Sequence, residues 1–349
     1  MELINRIKLE GFLTLSRQEP QHFSNPVNTN LSDGTSVICH AEGVIEFSPP
    51  KPAAEEPRAI VLSCGIHGNE TAPIEILDAL VQDLLAGKST CAHPVLFIFG
   101  NLPAMDIAER FCEENMNRLF SGAHSAGPGP INPERVRAKH LEELVAQFYR
   151  QHEAITSRLH YDLHTAIRAS KNEKFVVYPL LHNRQHSRSQ LAFLADCGVR
   201  TILLSESPTT TFSYFSSTQF NAHGFTVELG KVRAFGENDM SRFADAKRAI
   251  TQLVCDPNYQ APAIALQDLL IYRVNQVINK QQDDFTLHFA DDTANFTDYP
   301  KGTVLASENG AKYVAEYDGE AIVFPNASVA KGQRALLTVI PTELSVLDD

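Results

Sequence analysis

Cysteine is sparse and unpatterned in this chain. Its six residues (Cys39, Cys64, Cys91, Cys112, Cys197 and Cys255) form no Cys-x-x-Cys pair, which argues against both a disulfide framework and a thiolate zinc site. Basic runs are also lacking: Asp and Glu outnumber Lys and Arg by 42 to 30, a net charge of −12, so a nucleic-acid partner is not expected. No apolar run approaches the length that spans a bilayer, and the N-terminus has no charged-then-apolar signal, so the expectation is a soluble cytoplasmic protein with no membrane partner. Repeats, low-complexity tracts and coiled-coil heptads are absent too. At 349 residues the chain exceeds one ordinary domain, and two are expected. Nothing in it speaks to oligomeric state.

What is present is chemistry in one short stretch. His67-Gly68-Asn69-Glu70-Thr71 follows the apolar run Ala59-Ile60-Val61-Leu62 and precedes an amphipathic segment. A His and a Glu three apart can aim an imidazole and a carboxylate at one cation, and a catalytic zinc needs three protein ligands with a fourth position left to water. The best third ligand is His164, in Tyr161-Asp162-Leu163-His164-Thr165. Taken alone the spacing is weak. His140 and Glu143 repeat it inside the periodic segment Asn132 to Gln151, where they read as a solvated helix face. Context separates the two: Gly65 and Gly68 clear side chains from the backbone at a strand's carboxyl end, where open α/β sheets put ligands. Cys64, three before His67, reads better as a small core residue.

Strand-like and helix-like segments alternate up to about residue 255. Strands are expected at Arg58 to Gly65, Pro94 to Gly100, Leu159 to Leu163, Phe175 to Tyr178, Thr201 to Leu204 and Gly224 to Glu228. Helices are expected at Thr71 to Ala86, from Asn132-Pro133-Glu134 onward, at Arg188 to Asp196 and at Asp239 to Val254. That alternation predicts a sheet covered by helices on both faces. Beyond Cys255-Asp256-Pro257, short β-rich segments (Leu269 to Val277, Phe285 to Phe289, Lys312 to Tyr317, Ala321 to Phe324, Ala335 to Val339) alternate with turn residues. The division expected is a catalytic domain over 1–256 and a β-rich domain over 257–349. Residues 1–50 have no clear placement.

Three further constellations bear on chemistry. Glu228, in Phe225-Thr226-Val227-Glu228-Leu229-Gly230, is a carboxylate among apolar residues; burial would raise its pKa and suit it to take a proton from metal-activated water. The alternative is an edge glutamate facing solvent. Arg110 and Arg118 bracket a segment that includes Asn117, a pattern suited to anions or to surface salt bridges. Asp162 stands two before His164 and is either the partner of that ring's second nitrogen or a same-face neighbour without contact. Arg168 is either a cation at the pocket mouth or a solvated loop residue.

Together, His67-Gly68-Asn69-Glu70, Asn117-Arg118 with Arg110 eight residues earlier, Asp162-Leu163-His164-Thr165 and Val227-Glu228-Leu229-Gly230 resemble the zinc carboxypeptidase-like succinylglutamate desuccinylase and aspartoacylase family. The strings Phe235-Gly236-Glu237-Asn238-Asp239, Phe324-Pro325-Asn326 and Gly332-Gln333-Arg334-Ala335 extend the similarity over most of the chain. The resemblance implies a carboxypeptidase-like α/β domain, its mixed sheet flanked by helices, with a smaller C-terminal β domain. It implies one zinc held by His67, Glu70 and His164, and Glu228 as general base and then acid. Arg110 would stabilise the oxyanion, and Asn117 with Arg118 would grip a substrate carboxylate. The implied reaction converts the small anionic substrate N-succinyl-L-glutamate to succinate and L-glutamate, the last step of arginine catabolism by the succinyltransferase pathway. An aspartoacylase-like deacylase, a metallocarboxypeptidase and a non-enzymatic metal-binding module are the rivals. Residues 49–57 and 122–130 read as loop insertions without counterpart.

Overall fold

The computed structural model describes residues 2–51, 54–182, 184–344 and 347–348; residues 52 and 53 of the first expected insertion lie outside them. Eight α-helices are described: α1 Glu2–Glu10, α2 Phe12–Gln18, α3 Thr71–Leu85, α4 Leu102–Asp106, α5 Pro133–Gln151, α6 Arg188–Asp196, α7 Phe212–Phe220 and α8 Ala244–Cys255. The strands are β1 Val27–Asn30, β2 Ser36–Ala41, β3 Val44–Ser48, β4 Arg58–Cys64, β5 Val95–Phe99, β6 Ser157–Ala166, β7 Phe175–Tyr178, β8 His186–Ser187, β9 Thr201–Leu204 and β10 His223–Lys231. After them come β11 Leu270–Asn279, β12 Thr286–Leu287, β13 Thr297–Tyr299, β14 Val304–Glu308, β15 Ala311–Val314, β16 Glu320–Val323, β17 Arg334–Pro341 and β18 Leu347–Asp348.

Thirteen strands form one mixed sheet in the order β1-β2-β3-β5-β4-β6-β10-β7-β9-β11-β17-β16-β13. Its centre is parallel and reads as near-continuous apolar sequence, because helices cover both faces. β4 shows how. Ile60, Leu62 and Cys64 pack toward α3 and α2, while Ala59 and Val61 pack toward α5 and α7. Cys64 is accordingly a buried core residue. The chain leaves β4 through α3 to β5 on one side, and β6, reached later, lies on the other. That reversal leaves a crevice at the carboxyl ends of β4 and β6, where an open sheet binds ligands.

Local chemistry explains the ends of the helices. Asn132 caps α5 by accepting from the Arg135 amide at 2.9 Å, with Pro133 behind it, and Ser187 caps α6 through the Gln190 amide at 3.3 Å. The helix expected over Asp239 to Val254 begins instead with a 3-10 turn, Met240–Phe243, because the Asp239 carboxylate caps the Ser241 amide at 3.2 Å. Residues 1–50, without placement in the sequence, form α1, α2 and the antiparallel strands β1 to β3 that extend the sheet to its edge. The β-rich end is joined to this sheet: β11 pairs with β9 over Leu270–Arg273 and with β17 along most of its length. A second sheet, β12-β14-β15, closes on it through Phe285, Leu305, Ala306, Ile322 and Leu336. The fold is the expected one, a helix-flanked mixed sheet with a smaller C-terminal β domain.

Candidate metal centre and anion site

β4 ends at Cys64 and the chain turns sharply through Gly65 to Glu70. Gly65 has φ +63°, and a Cβ on it would meet the Met105 side chain; one on Gly68 would lie 2.2 Å from the Ala104 backbone carbon. Only glycine lets α4 pack this closely, and the close packing turns His67 and Glu70 into the crevice. β6 brings His164 in from the adjacent strand. The donor atoms of His67, Glu70 and His164 all lie within 4.8 Å of one another, and all three residues are buried. His140 and Glu143 form no such group, and Glu143 stands exposed on α5.

The surroundings settle which nitrogen faces the crevice. His67 Nε2 donates to Asn115 Oδ1 at 2.9 Å, which leaves the Nδ1 lone pair 2.9 Å from Glu70 Oε1 without hydrogen-bond geometry. A lone pair facing a carboxylate oxygen is the arrangement of two ligands sharing a cation. His164 Nε2 lies 2.8 Å from Asp162 Oδ2 and its Nδ1 2.8 Å from Glu70 Oε2, so Asp162 is the partner of the ring and not a bystander. Burial alone would raise the Glu70 pKa, but His67, His164 and Arg110 hold it well below the usual carboxylate range. Burial alone would lower that of His164, but Asp162 and Glu70 hold it well above. Burial, reinforced by the charge of Arg110, lowers His67 to about 4, which keeps it a neutral donor. Two imidazoles and one carboxylate, each oriented from behind, are the donor set of a catalytic zinc site.

Glu228 is in β10, next to β6, and only 6% exposed. It is therefore no edge residue. Its Oε2 is buried with no hydrogen-bond partner among the described residues, and burial, then the charge of Glu70, raises its pKa from 4.5 to about 7. That is the environment a proton carrier needs at neutral pH.

Arg110 Nη1 donates to Glu70 Oε1 at 2.6 Å, so this arginine reaches the centre itself. Asn117 is buried, and its Oδ1 accepts from the Phe212 amide at 3.2 Å. Only its amide NH2 remains to meet a ligand. Arg118 donates to the carbonyl of Asn117 at 2.8 Å and has no carboxylate partner among the described residues. Burial, Arg334 and Arg110, in that order, lower its pKa. Arg168 turns aside to the Asp291 carbonyl.

Sequence reasoning gave no role to four residues here. Asn115 orients His67. Glu134, read only as part of a helix start, is buried and accepts from the Cys112 and Glu113 amides at 2.7 and 3.3 Å, pinning the segment that carries Arg110. His160 is fully buried with both ring nitrogens engaged. Arg334 enters from β17: its guanidinium stacks on Phe324 at 5.3 Å, Phe324 packs on Phe175, and Phe175 pairs with Glu228 across the sheet. Burial and the charge of Arg110 lower Arg334 to about 10 against the pull of Glu228. The string around Arg334 was visible; its approach to Glu228 is a property of the sheet.

Two family models match the chain. The succinylglutamate desuccinylase/aspartoacylase catalytic domain covers residues 56–254, and the AstE/AspA barrel-sandwich hybrid domain covers residues 267–342. The chain belongs to the succinylglutamate desuccinylase/aspartoacylase family. Within that family it is 56% identical over 345 residues to a succinylglutamate desuccinylase of Pseudoalteromonas atlantica, covering 98% of each chain. It is 49% identical to another of Shewanella denitrificans, covering 95% of each. Among solved structures, the succinylglutamate desuccinylase of Chromobacterium violaceum superposes with a TM-score of 0.81 at 39% identity, over 96% of this chain and 98% of that one. Murine aminoacylase 3 shares the fold, with a TM-score of 0.53 at 18% identity over 84% of this chain and 98% of its own. No helix among the described residues is long and apolar enough to cross a membrane.

Proposed function

We propose that the chain is a zinc-dependent amidohydrolase that cleaves N-succinyl-L-glutamate to succinate and L-glutamate, the closing step of arginine breakdown through succinylated intermediates. The observation that carries this is a buried carboxylate, Glu228, with an unpartnered oxygen, set beside a His/Glu/His donor group and near two arginines, Arg118 and Arg334, that have no ion-pair partner among the described residues. His67, Glu70 and His164 would hold one zinc ion per chain. Bound there, zinc supplies Lewis acidity and brings the pKa of water toward neutrality.

The protein's own groups then divide the work. Glu228 takes a proton from the attacking water as its oxygen bonds to the amide carbon. Arg110 shares the negative charge that develops on the carbonyl oxygen. Glu228 returns the proton to the nitrogen as the C–N bond breaks, releasing an amine and a carboxylate. Asn117, Arg118 and Arg334 hold the carboxylates of the substrate; Arg118 and Arg334 stand without an ion-pair partner among the described residues of a chain of net charge −12 because their counter-charge is the ligand.

The test is zinc content together with kcat/KM for N-succinylglutamate, N-succinylornithine, N-acetylglutamate and N-acetylaspartate. N-succinylglutamate is expected to lead by a wide margin. Preference for N-acetylaspartate would move the chain to the aspartoacylase side of the family, and no hydrolysis with zinc bound would leave a metal-binding module.

A further inference from the structure

His160 is a histidine with no part in the chemistry above, yet it is fully buried and both its nitrogens are engaged. β6 alternates, so His160, Asp162 and His164 share one face while Tyr161 and Leu163 enter the core on the other. Ser63 pairs with Asp162 in the neighbouring β4 and is fully buried too. Its Oγ lies 2.6 Å from Asp162 Oδ1 and 2.8 Å from His160 Nε2, and His160 Nδ1 lies 2.7 Å from Ser216 Oγ on α7.

These contacts admit one arrangement of protons. Ser63 has a single O–H, and at 2.6 Å from a carboxylate oxygen it must donate there, since two oxygens at that distance without a proton repel. Ser63 can then only accept from His160, so His160 carries its proton on Nε2. Its Nδ1 accepts from the Ser216 hydroxyl. Burial lowers His160 to about 4, in keeping with one ring proton and not two. Asp162, one oxygen held by Ser63, has Oδ2 left for His164 Nε2–H, which leaves Nδ1 as the nitrogen of His164 that faces Glu70 and the metal position.

We infer that Ser216, His160 and Ser63 are positioning residues, a directional hydrogen-bond chain that runs from α7 through Asp162 and fixes which nitrogen of His164 meets the metal. The inference rests on the zinc reading above. Each member removes an alternative: without the Ser63 hydroxyl, Asp162 is free to rotate, and without His160 the Ser63 hydroxyl has other partners to choose. Groups that orient metal ligands from behind are worth about 10- to 100-fold in metal affinity. The chain also ties the centre to α7, whose first amide is held by Asn117, so metal and substrate contacts share one support.

The experiment measures zinc affinity by chelator competition on metal-stripped protein, with circular dichroism melts run in parallel. Ser63→Ala and His160→Phe are expected to weaken zinc binding roughly tenfold or more. His160→Gln, whose amide can donate to Ser63 and accept from Ser216, is expected to stay within about threefold of the parent, well short of that loss. A purely structural role would track melting temperature, so the decisive pattern is loss in Ser63→Ala and recovery in His160→Gln at comparable stability. If His160→Phe does not fold, Ser63→Ala and Ser216→Ala decide. Zinc affinity unchanged in the folded variants overturns the chain while leaving the metal site standing; a parent protein that takes up no zinc overturns the metal reading itself.

Discussion

Glu228 and His164 stand directly opposite each other in neighbouring parallel strands, paired residue for residue in the β10–β6 ladder. The proposed proton carrier and a proposed metal ligand are thus set by one register, and a slip of a single residue between the strands would turn one of the two side chains to the opposite face. Geometry of this kind does not depend on a loop finding its place. It depends on the central strands being paired at all.

Glu228→Gln keeps the shape of the site and removes its capacity to carry a proton. Zinc content is expected to remain stoichiometric while kcat falls by roughly two to four orders of magnitude, the usual scale of general acid–base catalysis. Metal analysis and steady-state kinetics on the same preparation check this. A variant that loses its zinc, or turns over at close to the parent rate, removes Glu228 from the role.

The pH dependence has a definite sign. The Glu228 pKa is raised from 4.5 to about 7, chiefly by burial and then by Glu70, so the folded protein favours the protonated form. Its contribution to stability is fully present below pH 4.5 and is lost as pH rises through about 7. Metal-stripped protein should lose melting temperature across that window, and Glu228→Gln should flatten the loss. Activity runs the other way, because only the ionised carboxylate accepts a proton: kcat/KM is expected to rise with pH, with its limb at or below about 7 since a bound dication favours the anion. Equal slopes in the two melting profiles would refute the assignment.

Removing a ligand should separate metal from fold. His67→Ala and His164→Ala are each expected to lose bound zinc, and chelation of the parent should abolish hydrolysis while leaving most of the far-ultraviolet circular dichroism intact, since a sheet of thirteen strands carries its own core. Full zinc and full activity in His164→Ala would mean a different ligand set.

Arg118→Lys replaces a planar fork with a point charge. It is expected to cost about tenfold or more in kcat/KM for N-succinylglutamate, because a buried carboxylate left without its partner is costly. Arg334→Gln should raise KM for the same substrate and also raise the melting temperature of the substrate-free protein, since it relieves repulsion from Arg110 and Arg118. A rise in KM without any gain in stability would mean that the arginines are not in mutual conflict.

How much of this was legible in the chain follows from the range of the forces involved. Local rules located β4, α3, β5, β7, α6 and β9 almost to the residue, because apolar periodicity and caps act over a few positions. They missed α7, whose sequence Phe-Ser-Tyr-Phe-Ser-Ser-Thr-Gln-Phe has poor helix propensity and is held by packing and by Asn117 instead. They also missed β1 to β3, the group of strands at one end of the sheet, whose partners lie across turns and in a remote β5.

The chemistry divides the same way. Residue types and spacings brought out the His67/Glu70 pair, His164 as the candidate third ligand and Glu228 as a candidate buried carboxylate, with Gly65 and Gly68 at a strand's carboxyl end setting that pair apart from His140 and Glu143. Only the tertiary structure decided that Asp162 holds the second nitrogen of His164, that Asn115 turns His67, that Arg168 faces away and that Arg334 arrives from β17 beside Glu228. Those facts are contacts between residues tens to hundreds of positions apart, or rotamer choices within a strand. Sheet register and side-chain packing set them, and neither is written in any local stretch of the chain.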